Sequence, residues 1–454
     1  MVETDVLVIG GGMAGLVAGA SAAQRGCRVL LIRKGEGATS MSSGAIDVLG
    51  YMPGGHPQFG SASEGLAAFP EAFPLHPYCV AGANWSGCEE SADGIKEVVK
   101  ESIDWFKSHI NGPGLQFIGS MDANLLPLTV LGTRKPTCLV QDTMYSKSIE
   151  TESDHTVLFA GVRGHPEFNP VAAARSYIST GPETRERPKK TASCTVGFSP
   201  RGGPCNISSI ELARHLDLEG TVLSLVDALR PHVEQVGATH VALPPVLGIR
   251  NARRNRETLE REMGVTVFEL LSFPPSVPGL RLQLALEALF GSAGGNILSG
   301  FEAVRAKKED KTVVTVTCTG PRRVVEVSAK SVVLATGKYI GGGIRVDERG
   351  AVETAFGITP VTKGFYSAAA SRAFDHTTRV ALPYWGQPVF SIGLVVDSHF
   401  RPVNPDGTVV AHNLFAAGAL LSGYNYSSEK SGLGVAMVTG RRAGLNSSQL
   451  GGVD

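Results

Sequence analysis

The apolar run DVLVI (residues 5–9) passes directly into Gly10-Gly11-Gly12-Met13-Ala14-Gly15, and this junction restricts the fold more than any other feature of the chain. An uninterrupted, β-branched run of this length suits a strand buried on both faces of a parallel sheet. Residues Met13 to Gln24 then read as a helix with a small-residue face of Ala14, Ala18 and Ala22, and Arg28 to Ile32 supply a second strand. Each glycine between strand and helix has a physical reason. Gly10 permits the tight turn, Gly12 lets phosphate oxygens approach the backbone, and Gly15 allows close packing of helix on strand. The helix N-terminus, with the backbone of Gly11, Met13 and Ala14, supplies N–H donors and positive potential. G-x-G-x-x-G in this setting predicts a Rossmann-type phosphate or dinucleotide site, against the plain alternative of a tight turn without a ligand.

With 454 residues, 43% of them apolar, the chain can build two or three units around a large core. Leu280 to Phe290 reads as a helix, Gly295 to Leu298 as the start of a strand, and Thr312 to Thr317 with Arg323 to Val327 as hairpin strands. Ser331 to Ala335 (SVVLA) is another buried strand, ending in Thr336-Gly337. Asn413 to Gly418 (NLFAAG) repeats the theme before a helix from about Gly432 to Ala443. The expected fold is α/β. A Rossmann-like FAD/NAD(P)-binding domain is built from 1–75, 266–345 and 409–454, with a second, α+β domain inserted in two pieces, 76–265 and 346–408. Segment 181–206 is polar and rich in Pro and Gly, which predicts a surface loop.

Charge and cysteine usage narrow the function classes. Lys+Arg and Asp+Glu both number 42, so no general attraction to nucleic acid or to an anionic membrane is expected. The seven cysteines (Cys27, Cys79, Cys88, Cys138, Cys194, Cys205, Cys318) form no C-x-x-C pair, which argues against a disulfide framework and against a zinc or iron–sulfur site held by this chain alone. Met1 to Asp5 carry no basic run, and no apolar stretch reaches the roughly 18 to 20 residues that span a bilayer. A cytoplasmic location without a transmembrane segment is expected.

A nucleotide-binding second strand usually ends in an acid that holds the ribose diol, but here Arg33 and Lys34 stand at that place. Arg33 cannot accept a hydrogen bond from a diol and can pair with a phosphate. Either the usual adenosine is absent or differently held, or Arg33 is a solvated strand-end cation beside a dinucleotide bound through backbone. The loop Gly35 to Ile46 offers Thr39, Ser40, Ser42, Ser43 and Gly44 beside the phosphate and the isoalloxazine ring of a flavin. Thr336-Gly337 and Ala417-Gly418 place further small residues where backbone passes a cofactor. Three glycine-terminated buried strands are hard to obtain from a binding module with a single nucleotide turn, and they predict a flavin.

Beyond the glycines, the chain resembles the B-type subunit family of anaerobic glycerol-3-phosphate dehydrogenase, a flavoprotein family related to the fumarate-reductase-like FAD proteins. The similarity rests on DVLVIGGGMAGL (5–16), SSGAIDVLG (42–50), PLTVLGTRKPTCL (127–139), FPPSVPGLRLQ (273–283), ATGKYIGGGI (335–344) and GALLSGYNYSSEKSGLGVAMVTG (418–440). The resemblance implies FMN as cofactor, with FAD as the alternative. It implies partners as well: a catalytic flavoprotein subunit and a membrane-associated iron–sulfur subunit, which would attach the chain peripherally to the inner face of the membrane. The implied reaction oxidises sn-glycerol 3-phosphate to dihydroxyacetone phosphate and passes electrons toward the quinone pool.

That chemistry needs cations for the phosphate and a base near the hydroxyl. Candidate phosphate clamps are Arg134 and Lys135 in LGTRKPT, Arg281 and Arg345; Lys338 follows the ATG turn; candidate bases are His155, His165 and His376. No His or carboxylate constellation stands out. This keeps two alternatives open: a non-catalytic scaffold or electron-relay subunit, and an independent fumarate-reductase-like flavoprotein oxidoreductase.

Overall fold

The computed structural model describes residues 1–83, 92–151, 155–180, 190–198, 206–348, 350–361 and 373–451. Strand β1 (Val2–Ile9) is buried from Thr4 onward and lies at the centre of a seven-stranded sheet. It pairs in parallel with β2 (Val29–Arg33), Ile9 opposite Ile32, and with the strand Val324–Leu334, Ile9 opposite Leu334. Beyond β2 lies the parallel strand Asn296–Ser299. Beyond Val324–Leu334 lies an antiparallel pair, Thr312–Thr319 and Glu302–Glu309, while Leu414–Ala416 runs parallel to Val332–Leu334. The expected strand ends therefore converge: Gly10 N–H donates to the Ile32 carbonyl, Ala335 N–H to that of Ile9, and Ala417 N–H to that of Leu334.

Helix α1 (Met13–Ala23) covers this sheet and is almost wholly buried. It can be, because its neighbours come to backbone distance. A Cβ at Gly440 would stand 2.5 Å from the Ala14 carbonyl oxygen, and one at Gly444 would stand 2.3 Å from that of Ala18. Both glycines belong to the C-terminal helix Gly432–Gly451, which runs further than the Gly432–Ala443 expectation. On its other side α1 meets the helix Val277–Ser292, where Phe290 fills the space a side chain at Gly19 would take.

A second sheet holds four strands in the order Lys190–Val196, Thr156–Val162, His240–Leu243, Thr266–Glu269. All its pairings are parallel, and helices separate its strands in sequence, so this unit is α/β in detail where an α+β unit was expected. Lys190–Val196 also lies inside the stretch expected to be a surface loop. It forms an edge strand there because parallel pairing with Thr156–Val162 satisfies its backbone. The rest of that loop, 181–189 and 199–205, lies outside the described residues, as do Cys88 and Cys205. The main core draws on β1, α1 and β2, and also on the helix Ala92–Ile110 and the segments around Leu139, Ile358 and Leu394. Separate clusters around Leu229, Val241 and Phe159 support the second sheet. Among the described residues, no helix is long and apolar enough to cross a membrane.

Candidate functional site

The glycine-rich turn is built as its sequence demands. Gly10 adopts φ of +120°, and a Cβ there would sit 2.1 Å from the Ala335 carbonyl oxygen; one at Gly15 would sit 1.9 Å from that of Gly10. Gly12 is the N-cap of α1 and contributes no side-chain cap, and no acid occupies the first turn. The Thr39 hydroxyl takes the capping role instead, accepting from Met13 N–H at 2.8 Å. Gly37 lies on Gly12, so the loop after β2 crosses the helix N-terminus. That loop is held by Ser40 Oγ on the Gly37 carbonyl (2.9 Å) and Ser42 Oγ on that of Thr39 (2.7 Å). Gly44, at φ of +73°, is pressed against Pro278 and Gln141, while Ser43 is half-buried.

Two further backbone segments close on the same turn. A Cβ at Gly418 would meet the Ala14 side chain at 2.6 Å, and Gly418 N–H donates to Thr439 Oγ1 at 2.9 Å. Gly337 has φ of +73°, and the neighbouring Thr336 Oγ1 is buried without a hydrogen-bond partner among the described residues. The donor set fits the phosphate end of a flavin nucleotide: a glycine N-cap, an acid-free first turn, a hydroxyl on the N–H ladder and a buried unpaired Thr336 Oγ1 beside them.

Arg33 is not the solvated strand-end cation of the second expectation, and its guanidinium is not open to a phosphate either. Its stem lies over Gly11, where a Cβ would come within 2.7 Å of Arg33 Cδ. Its guanidinium is paired with Glu287 of the helix Val277–Ser292, and its Nε–H donates to Ser299 Oγ at 2.9 Å. Gln283 completes the arrangement, donating to the Gly11 carbonyl at 2.8 Å and to Glu287 at 2.7 Å. The pair keeps only 15% and 22% of its side-chain exposure, so the arginine is no solvated cation. Arg33, Glu287 and Gln283 together cover the end of β2, where a ribose-binding acid would stand. Lys34 points elsewhere, pairing with Glu302 on the surface.

The remaining candidates divide sharply by position. Arg281 is buried and fully used, bidentate to Glu269 at 2.6 and 2.9 Å with its Nε–H on the Gly248 carbonyl, which leaves no open face for a phosphate. Arg134 pairs with Glu150 at 3.5 Å and lies over the Tyr177 ring; Arg345 is exposed and pairs with Asp347. His155 meets the Tyr177 hydroxyl at 3.0 Å within the second unit. His165 meets Ser209 Oγ at 2.9 Å, and burial holds its pKa below the ordinary imidazole value against the pull of Glu167. His376 is buried in the short helical turn Ala373–His376, its Nε2 without a partner among the described residues. Of these seven, Lys338 follows directly on Thr336-Gly337. It is buried, it donates to the Phe390 carbonyl, and its nitrogen lies 5.5 Å from the centre of the Tyr424 ring. Burial pushes its ammonium down to about 7, against the opposing charge of Glu429.

Sequence reasoning missed the group facing Lys338. His76 Nδ1 accepts from Tyr78 N–H at 3.1 Å, which leaves Nε2–H to face Glu429 at 3.2 Å. Glu429 also accepts from Asn425 N–H at 2.7 Å and from Ser431 Oγ at 2.9 Å, and its side chain is 1% exposed. The Tyr424 hydroxyl is buried without a partner among the described residues, and burial raises its pKa. Tyr424, Asn425, Glu429 and Ser431 all belong to the GYNYSSEKSGLG stretch, but nothing local in the sequence joins them to His76.

A family model described as FAD binding domain matches residues 5–435. Among curated proteins, the chain is 28% identical over 451 residues to the B-type subunit of anaerobic glycerol-3-phosphate dehydrogenase from Vibrio vulnificus, covering 97% of this chain and 95% of that one. It is 31% identical over 460 residues to the probable B-type subunit of the same enzyme from Halobacterium salinarum, covering 99% and 98%. Among solved structures, 3-ketosteroid delta1-dehydrogenase from Sterolibacterium denitrificans aligns over 99% of this chain and all of that one, with 10% identity and a TM-score of 0.43.

Proposed function

Since the chain belongs to the FAD binding domain family and to the B-type subunit family of anaerobic glycerol-3-phosphate dehydrogenase, we propose that it is the flavin-bearing B-type subunit of a quinone-linked glycerol-3-phosphate dehydrogenase. The reaction is oxidation of the secondary alcohol of sn-glycerol 3-phosphate to dihydroxyacetone phosphate. Its partners would be a catalytic flavoprotein subunit and a membrane-associated iron–sulfur subunit, through which the chain reaches the inner face of the membrane. The flavin, when bound, supplies a two-electron acceptor. Gly12, Met13 and Thr39 would hold its phosphate, with the 335–337 and 417–418 segments along its length. Lys338 and Glu429 hold exchangeable protons and charge beside that groove.

We take FMN as the flavin. The observation that supports this reading is the Arg33–Glu287–Gln283 network over Gly11, which stands where a ribose-binding acid would be. The two sheets suggest a domain division that moves the expected boundary at 266, because Thr266–Glu269 is a strand of the second sheet: the flavin unit from 1–75, 270–345 and 409–454, to which we add Ala92–Ile110 and the 346–408 piece around Ile358 and Leu394 because they pack into the main core, and the four-stranded unit, Thr156–Val162 to Thr266–Glu269, as the substrate or partner part.

The test is to purify the chain, identify the flavin released on denaturation, and follow anaerobic bleaching of bound flavin by sn-glycerol 3-phosphate. FMN release and substrate-dependent bleaching support the proposal; a colourless chain that cannot be loaded with flavin ends it. The scaffold or electron-relay reading has its own support, since none of the three candidate histidines touches the turn. Bleaching only in the presence of the partner subunits would favour that reading.

A further inference from the structure

Asp47, Lys135 and Lys430 come from three distant stretches of sequence and meet beside the flavin loops. Asp47 follows the Ser42–Gly44 segment, and its own carbonyl accepts from Gly434 N–H at 3.0 Å in the first turn of the C-terminal helix. Lys135 is ion-paired with Asp47 Oδ2, with side-chain exposures of 23% and 15%. Lys430 stands next to Glu429, whose carbonyl accepts from both Gly50 and Tyr51 N–H, so the 47–51 loop and Lys430 are one hydrogen-bonded unit.

Two features go unexplained if this is only a clamp between loops. Asp47 Oδ1 is buried and accepts no hydrogen bond among the described residues, although buried carboxylate oxygens are normally satisfied. Lys430 occupies the left-handed region at φ of 53°, which suits glycine or asparagine and not a long cationic side chain. Its ammonium is half-buried, anchored on the Ser427 carbonyl at 2.7 Å, and its pKa is lowered by burial and by the positive charge of Lys135. One ammonium is thus paired with the Asp47 carboxylate and a second, on the Ser427 carbonyl, feels the charge of both, for a net charge of +1 with an acceptor oxygen to spare.

We propose that these three side chains form the binding pole for a polyol phosphate. The two ammoniums take the phosphate dianion, and Asp47 Oδ1 accepts from a neighbouring hydroxyl of the same molecule. With no phosphate bound, Asp47 is the counter-ion of Lys135. This inference rests on the substrate class proposed above; of the three residues, the LGTRKPT motif marks only Lys135, and the structure adds Asp47 and Lys430.

The experiment is isothermal titration of the flavin-loaded full chain with inorganic phosphate and with sn-glycerol 3-phosphate at low ionic strength. Lys135→Met and Lys430→Asn, the latter chosen because asparagine tolerates the left-handed backbone, should each weaken both ligands roughly tenfold. Lys135→Arg keeps the charge and should recover most of the loss, which separates a charge effect from misfolding. Asp47→Asn should tighten inorganic phosphate several-fold, roughly, by removing a competing anion, and should lower the preference for sn-glycerol 3-phosphate over phosphate. If folded, flavin-loaded variants bind both ligands as the wild type does, the trio is a structural clamp and the inference is overturned, while the proposed activity stands. If the wild type binds phosphate through these lysines but not sn-glycerol 3-phosphate, the ammonium pair stands and the substrate reading falls, with the Asp47 hydroxyl contact.

Discussion

Replacing Arg33 by Glu together with Glu287 by Gln is expected to raise the chain's affinity for FAD relative to FMN. Removing the guanidinium alone strips Glu287 of its cation and leaves it only Gln283. Because both side chains retain some exposure, screening limits that cost to about 1–2 kcal/mol. Arg33→Glu alone does worse, since it sets two carboxylates where one ion pair stood, and it should lose stability without gaining FAD. The Glu287→Gln change removes that repulsion and keeps the helix Val277–Ser292 a hydrogen-bonding partner. A carboxylate at 33 can then accept from both hydroxyls of an adenosine ribose, each bond worth about 1.5–3 kcal/mol, so relative FAD affinity should rise roughly tenfold or more. The assay is chromatography of flavin released on denaturation, backed by fluorescence titration of the apo chain with each flavin. A wild-type chain that releases only FAD, or a double variant with an unchanged FMN:FAD ratio, refutes the reasoning.

Gly12→Val should fold but lose its flavin: a Cβ there already comes within 3.3 Å of Thr39 Oγ1, and the larger side chain pushes the loop off the helix N-terminus, which circular dichroism and the flavin absorbance can separate. Lys338 titrates near 7 when folded against 10.5 when free, so between those values the unfolded chain holds a proton that the folded chain lacks. Wild-type stability relative to Lys338→Met should therefore rise with pH across that window, by at most about 1.4 kcal/mol per unit, and stay flat below it; a stability difference between the two proteins that is the same at about pH 6.5 and about pH 9 in urea unfolding would show that the amine is not buried as described. Asp5, held down to about 2 by hydrogen bonds from Arg28 and by Lys330, joins β1 to its neighbours. Its contribution is present above the ordinary carboxylate range and lost as pH falls toward 2, so Asp5→Asn should cost about 1 kcal/mol at neutral pH and nothing in strong acid, read from the same unfolding curves.

The parts of the site legible in the sequence are those decided by backbone sterics. Gly10 and Gly15 have contacts that no Cβ could share, and their spacing after a buried strand is a local pattern. Thr39 is within reach too, because a hydroxyl loop after the second strand has only the helix N-terminus to cross. The illegible parts are pairings across long stretches of chain. Arg33 and Glu287 lie 254 residues apart, and His76 and Glu429 lie 353 apart. No local rule connects them, so the sequence leaves Arg33 open to a reading as a solvated strand-end charge, which its pairing with Glu287 excludes. The second sheet is obscured for a related reason: Lys190–Val196 looks polar because most of it is exposed or half-buried, as an edge strand allows, and only its parallel neighbour reveals it as a strand.

Charge pairing then separates the scaffold from the chemistry. Arg281 spends its Nε–H on a carbonyl and its other donors chiefly on Glu269, so a ligand phosphate there would have to break a buried bidentate pair, at a cost of roughly 3–5 kcal/mol for exposing one unpaired charge. Arg33 is tied in the same way, though less deeply. At Asp47 a ligand phosphate must compete for Lys135, but a ligand arriving at Thr336 Oγ1 or at the Tyr424 hydroxyl breaks nothing, because each is buried and has no partner among the described residues. Such atoms lower the stability of the folded chain until something meets them, so binding energy there is gained without an opposing native contact. The Tyr424 ring lies beside the Lys338 ammonium and Thr336 precedes Lys338 by two residues, so the least opposed binding lies along that stretch and not at the arginines that sequence alone marks as phosphate clamps.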